Sequence, residues 1–146
     1  MNLLKNVRIS QVLGYFAAGT TKRTSTIVDM ANYDGVVFVA GLGTLLDTGT
    51  LDVFVEQHTL NQTSGMTRVL TTTLFTATSV DALLTQSCIV VDVYRPTKRY
   101  LQCNITPAVA NAVILGIVAI QYRGRAMPTT HPAANLKTTQ LVSPSE

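Results

Sequence analysis

VDVYRPTKRYLQCNI, residues 91–105, is the stretch whose reading decides the fold. Two apolar, alternating runs flank a turn that holds Arg95, Pro96, Lys98 and Arg99. A period of two belongs to extended chain with one face turned inward, so both runs are expected to be strands. The local pattern predicts a hairpin, with Tyr94 and Tyr100 at the two ends of its turn forming a cross-strand contact.

Outward from this stretch the chain continues as short strands separated by turn signals. Val7–Leu13 reads as a first strand, 14–19 has no assignment, and the threonine-rich 20–28 reads as an edge strand on which Lys22 and Arg23 discourage unwanted pairing. Asp34-Gly35 marks a turn into VVFVAGLGTLL (36–46), a β-branched run of the central-strand kind. In TLDVFVEQ (50–57), Leu51, Val53 and Val55 make an apolar face and Asp52, Phe54 and Glu56 a mixed one. NQTSG (61–65) is a loop, 66–78 is threonine-dense without assignment, and 79–86 is the one short helical candidate. A strand follows Cys88, and Ala112–Tyr122 closes the series.

No run of ten or more residues shows a capped helical period, and Val, Ile and Thr recur throughout. The expectation is an all-β fold, an antiparallel β-sandwich of about eight strands over residues 1–122, with jelly-roll and immunoglobulin-like arrangements both allowed by the pattern. Residues 123–146 hold three of the five prolines and no period-two run, so they read as an extended C-terminal arm. Its spaced apolar residues Leu136, Leu141 and Val142 suit an arm that lies along a neighbour.

Composition narrows the role. Only 13% of the 146 residues are charged, against about 25% in ordinary soluble domains, and mean hydropathy is +0.28. A surface so poor in charge is expected to be covered, by lipid or by other protein. The longest apolar run, AVILGIVAI (112–120), is nine residues, well short of the roughly 18 a spanning helix needs, so no membrane role is expected. MNLLKNVRISQ lacks an apolar core followed by a cleavage site, which points to cytoplasmic synthesis, free buried thiols at Cys88 and Cys103, and no use of the Asn61 and Asn104 sequons.

Catalytic chemistry is poorly supplied. His58 and His131 stand apart, the eight acidic residues are scattered singly, and no Cys or His pair has zinc-ligand spacing. There is no G-x-S-x-G elbow, and Gly41-Leu42-Gly43 lacks the rest of a phosphate-loop motif, so it reads as a bulge or a close backbone approach. No catalytic residue, metal or cofactor is expected. The cations fall in three groups: Lys22 with Arg23; Arg95, Lys98 and Arg99; and Arg123 with Arg125. Single-strand nucleic-acid binding would add stacking by Tyr94 and Tyr100. A net charge of only +3 favours carboxylates of a protein partner, and no direct nucleic-acid contact is expected.

The segments YDGVVFVAG (33–41), VVDVYRPTKRYLQ (90–102), ANAVILGIVAIQYRGRAMPTTH (110–131) and SPSE (143–146) resemble small head proteins of tailed bacteriophages, a group that includes capsid decoration, or cement, proteins. The resemblance implies a jelly-roll sandwich bound as a dimer or trimer to the virion exterior, clamping capsomers of major capsid protein, after synthesis in the bacterial cytoplasm. Other virion roles are the rival expectation: a jelly-roll shell, a head fibre base or a tail adaptor. The interface residues expected from the chain itself are Arg95, Lys98, Arg99, Arg123, Arg125, Leu136, Leu141 and Val142.

Overall fold

The computed structural model describes residues 3–71, 75–76 and 87–140. One helical turn, α1 (Leu3–Asn6), leads into β1 (Val7–Leu13), β2 (Phe16–Gly19), β3 (Arg23–Thr24) and β4 (Val28–Asp29). The long β5 (Gly35–Leu45) and β6 (Thr50–His58) follow, then β7 (Thr67–Thr71), β8 (Phe75–Thr76), β9 (Ser87–Tyr94), β10 (Tyr100–Ala108) and β11 (Ala112–Tyr122). Residues 72–74, 77–86 and 141–146 are outside the described residues, and with them the short helical candidate, Leu141 and Val142.

The strands form two antiparallel sheets. The first has the order β1-β11-β5-β9, with β2 also on β11; the second has β3-β10-β6-β7, with β4 on β10 and β8 on β6. The pairs are nested along the chain: β1 with β11, β4 with β10, β5 with β9, and β6 with β7. This is an all-β sandwich. Its core fills from alternate positions of both sheets: Val36, Phe38, Ala40 and Leu42 of β5 and Ile117 and Ala119 of β11 face Leu51, Val53 and Val55 of β6 and Leu101, Cys103 and Ile105 of β10. Each large side chain removed from water in this way contributes about 1.5–3 kcal/mol.

One expectation is corrected by this topology. Residues 91–105 are not a hairpin, because β9 lies in the first sheet and β10 in the second, so the turn between them carries the chain across the sandwich. The period of two identifies a strand but not its partner. Here β9 pairs in unbroken register with β5 from Gly35↔Tyr94 to Leu42↔Ser87, and β10 pairs with β6 over its whole length. The cysteines are therefore on opposite sheets. Both are free, but only Cys103 is buried; Cys88 points outward and is exposed.

Glycines 41 and 43 mark a close approach, as their pattern suggested. A Cβ on Gly43 would lie 2.7 Å from Val113 Cγ1, and one on Gly41 would touch Leu115 Cβ at 3.4 Å. Opposite them the β5–β11 register shifts twice between Ala112 and Gly116, and Gly116 adopts φ +140°, a conformation that disfavours any side chain.

The threonine-rich segment is held at the second sheet's edge by short backbone ladders to β10 and by side chains. Ser25 Oγ accepts from Cys103 N at 3.0 Å, and Gln102 Nε2 donates to Ser25 O at 2.7 Å. The outer face of this sheet is polar. Asn104 donates to Glu56 at 2.8 Å and accepts from Thr24 at 2.8 Å, while Arg68 pairs with Asp52 at 3.0 Å and lies 3.6 Å over the Phe54 ring.

Beyond Tyr122 no strand forms among the described residues, and the arm runs along the free edge of β1 in its own subunit. Thr129 N donates to Lys5 O at 3.0 Å, Thr129 Oγ1 to Val7 O at 2.9 Å, and Asn135 Nδ2 to Ile9 O at 2.8 Å. His131 completes the seam, with Nδ1 accepting from Ile9 N at 3.4 Å and Nε2 3.0 Å from Leu4 O. An edge strand covered in this way is closed to stray pairing.

Candidate protein-interface cleft

The crossing from β9 to β10 builds one end of the sandwich. Arg95 leaves the strand in a left-handed conformation, φ 49°, and Pro96 follows with no N–H to continue a ladder. The turn is then fastened on both sides. Arg95 N donates to Asp34 O at 2.7 Å, and the Gln57 side chain of β6 donates to Thr97 Oγ1 at 2.8 Å while accepting from Lys98 N at 3.1 Å. Arg99 makes a two-pronged contact with Asp29, Nε to Oδ1 and Nη2 to Oδ2, both at 2.8 Å. These hydrogen bonds hold the Asp29 carboxyl below the usual carboxylate range and raise the guanidinium.

Between this turn and the 30–34 loop lies an open cleft of about 650 Å³. Arg95, Lys98, Arg99 and Arg125 line it together with Asp34 and Tyr33. Arg125 reaches it from the start of the arm, where its backbone N donates to Asn32 O at 2.9 Å. The structure therefore brings Arg125 to the same cavity as the 95–99 cations, thirty residues away in sequence. Arg99 is already committed to Asp29, whereas Arg95, Lys98 and Arg125 have no ion pair among the described residues. Guanidinium and ammonium groups carried on a fastened turn beside an open cavity are suited to receiving carboxylates, and arginine can grip one with two donors.

The remaining expected residues lie elsewhere. Arg123, φ 53°, turns away from the cleft and donates from Nη1 to Tyr94 Oη at 2.9 Å. Tyr94 and Tyr100 do not staple a hairpin, since they stand on different sheets. Arg95 and Arg123 lie over the Tyr94 ring at 5.2 and 5.9 Å, and Arg99 over the Tyr100 ring at 5.0 Å. Leu136 is 99% exposed, next to Asn135, whose side chain bonds to β1.

Both histidines serve local structure. His58 Nδ1 accepts from Leu60 N at 2.9 Å at the base of the 58–65 loop, and His131 ties the arm to β1. Among the described residues no three His, Cys, Asp or Glu side chains gather where a metal could be held. Sequence reasoning missed Asp29 and Gln57, the two side chains that fix the turn. Neither carries a local motif, because each acts on residues at least forty positions away.

No protein-family model and no curated protein sequence matches the chain. Among solved structures, the PBSX exported protein XepA aligns with 100% of this chain and 46% of its own, at 16% identity and a TM-score of 0.49. A structure of infectious bursal disease virus, Gt strain, aligns with 85% of this chain and 34% of its own, at 11% identity and a TM-score of 0.46. Chitosan-binding module 1 of a chitosanase/glucanase from Paenibacillus sp. IK-5 aligns with 81% of this chain and 96% of its own, at 14% identity and a TM-score of 0.34. The chain spans less than half the length of the first two. At these scores none of the three lends its role to this chain.

Proposed function

We propose that this chain is a structural protein of a virion, a jelly-roll sandwich that binds the outside of an icosahedral phage head and cements neighbouring capsomers of major capsid protein. The nested strand pairing supports the jelly-roll reading, since two interlocked Greek keys wind a chain in that order. The observation that carries the partner is the cleft, where Arg95, Lys98 and Arg125 stand ready for carboxylates of another protein. The role is non-enzymatic. The protein acts by mass action, because a ligand that binds the assembled shell and not its dissociated subunits stabilises the shell by its binding free energy.

The test is occupancy on purified heads. Replacing Arg95, Lys98 and Arg125 with Ser is expected to leave the isolated protein folded and to lower its occupancy; equal occupancy of variant and wild type rejects the cleft as the docking site. Copy number separates a cement protein from a tail adaptor, because only the former approaches parity with major capsid protein on gels. Oligonucleotide binding that falls steeply with salt would instead favour a single-strand binder.

A further inference from the structure

The two sheets differ in what their outer faces present. Central strands of the second sheet alternate apolar and polar residues, and outward polar side chains such as Asn104 and Glu56 bond to one another. The central strands of the first sheet do not alternate. GVVFVAGLGTL of β5 and AVILGIVAIQY of β11 are almost continuously apolar, the pattern of strands covered on both faces. Their inward residues fill the core. Their outward residues form cross-strand rows: Val118, Val39 and Val90 in one, Ile120 and Val37 beside it, with Leu115 lying over Gly41. Val90 is 56% and Leu115 47% exposed, and the other four are half-buried.

We infer that this face pairs with the same face of a second copy, the two first sheets stacking about a two-fold axis. The face offers no charge pattern for an unlike partner to match. Its one outward charged side chain on β5, β9 and β11 is Asp92, which already accepts a 2.7 Å hydrogen bond from Tyr122 Oη. With Asp92 held by Tyr122 at one end of the face, the rest is uncharged and can stack like against like, since an isologous contact needs only a self-complementary patch. Area agrees. Four strands spaced about 4.8 Å apart and roughly eight residues long give a face of about 500 Å², so a pair covers about 1,000 Å², the lower bound for a specific contact. The polar rim that such a contact needs is present in the Arg123–Tyr94 and Tyr122–Asp92 hydrogen bonds at one end and the arm along β1 at one side.

The inference does not rest on the virion reading, and sedimentation velocity over a range of concentrations tests it. Wild type is expected to run at twice its 15.7 kDa chain mass. Val39→Glu at the centre of the face and Val90→Lys on its exposed edge strand are each expected to weaken self-association at least tenfold with an unchanged circular dichroism spectrum. Val90→Lys serves as the variant that cannot fail through misfolding, since that side chain is already more than half exposed. A wild type that is monomeric at tens of micromolar, or a Val90→Lys protein as dimeric as wild type, overturns the inference. So does a monomeric wild type whose Val39→Glu variant loses head binding, which would assign the face to another protein. The Ser-substituted cleft variant is expected to remain dimeric, so failure of the cleft and failure of this face are read separately.

Discussion

Replacing Asn104 with Asp tests whether the polar outer face of the second sheet is a fixed network. Asn104 is 0% exposed, donates from Nδ2 to Glu56 Oε2 at 2.8 Å and accepts from Thr24 Oγ1 at 2.8 Å. In the Asp variant a carboxyl oxygen takes the place of the amide donor, facing another carboxylate oxygen. With charge centres about 4 Å apart and an effective dielectric near 20, two ionised groups repel by about 4 kcal/mol. Lys22, 3.9 Å from Glu56 and partly exposed, offsets little of this. The folded variant avoids the repulsion by keeping one proton between the two carboxyls, a proton the unfolded chain releases above about pH 4.

The folded state then binds more protons than the unfolded one, so stability falls as pH rises, by about 1.4 kcal/mol per unit. The loss is expected to reach about 4 kcal/mol by neutral pH, a large part of the 5–15 kcal/mol that holds a typical domain together. Paired urea titrations of wild type and variant between about pH 4 and pH 8 measure it. A difference that stays within about 0.5 kcal/mol of constant across that range refutes the network as described.

Two further outcomes follow from burial and from the arm. Burial pushes the Cys103 thiol up to about 12, whereas Cys88 is exposed, so a dilute native sample near pH 8 is expected to release one thiol equivalent quickly to a disulfide reagent and the second only on unfolding; two fast equivalents contradict the structure. Removing residues 136–146, which keeps Thr129, His131 and Asn135 in place, is expected to lower the melting temperature less than the longer truncation does. Removing 127–146 strips the hydrogen bonds of Thr129, His131 and Asn135 from β1, at about 0.5–1.5 kcal/mol each, and is expected to lower the melting temperature and promote aggregation through the bared edge. Equal stability of the two truncations would show that the arm does not guard β1.

What the sequence made legible was local. β1 and β11 begin and end where alternation and β-branching placed them, at Val7–Leu13 and Ala112–Tyr122, because those properties are written into the strand itself. Gly41 and Gly43 behaved as a close approach for the same reason. Pairing was not legible. β9 and β10 adjoin in sequence, yet each finds its partner by matching an apolar face to β5 or β6, a property of the whole sandwich. Arg99 looked free because its carboxylate is seventy residues away at Asp29. Cys88 looked buried because a free thiol in a reducing compartment usually is, and only the assembled sheet shows that its face turns out.

The apolar face and the cationic cleft have a joint consequence for binding. The cleft lies at the end of the sandwich, where β5 begins and β9 and β11 end, so stacking the first sheets of two copies leaves both clefts open. A dimer can then engage two sites on one shell. The second contact forms at the effective concentration set by the first, which raises avidity by about 10²–10⁴ without any new interaction, provided the geometry lets both clefts reach. Val39→Glu alters no residue of the cleft, so on this reasoning its effect on head occupancy comes only through the lost partner. Occupancy of that variant is expected to fall to the level of a single cleft, and to recover when two variant chains are joined by a flexible linker long enough to span the sites. If the linked variant binds no better than the unlinked one, the clefts do not act in pairs, and the apolar face contributes to something other than shell binding.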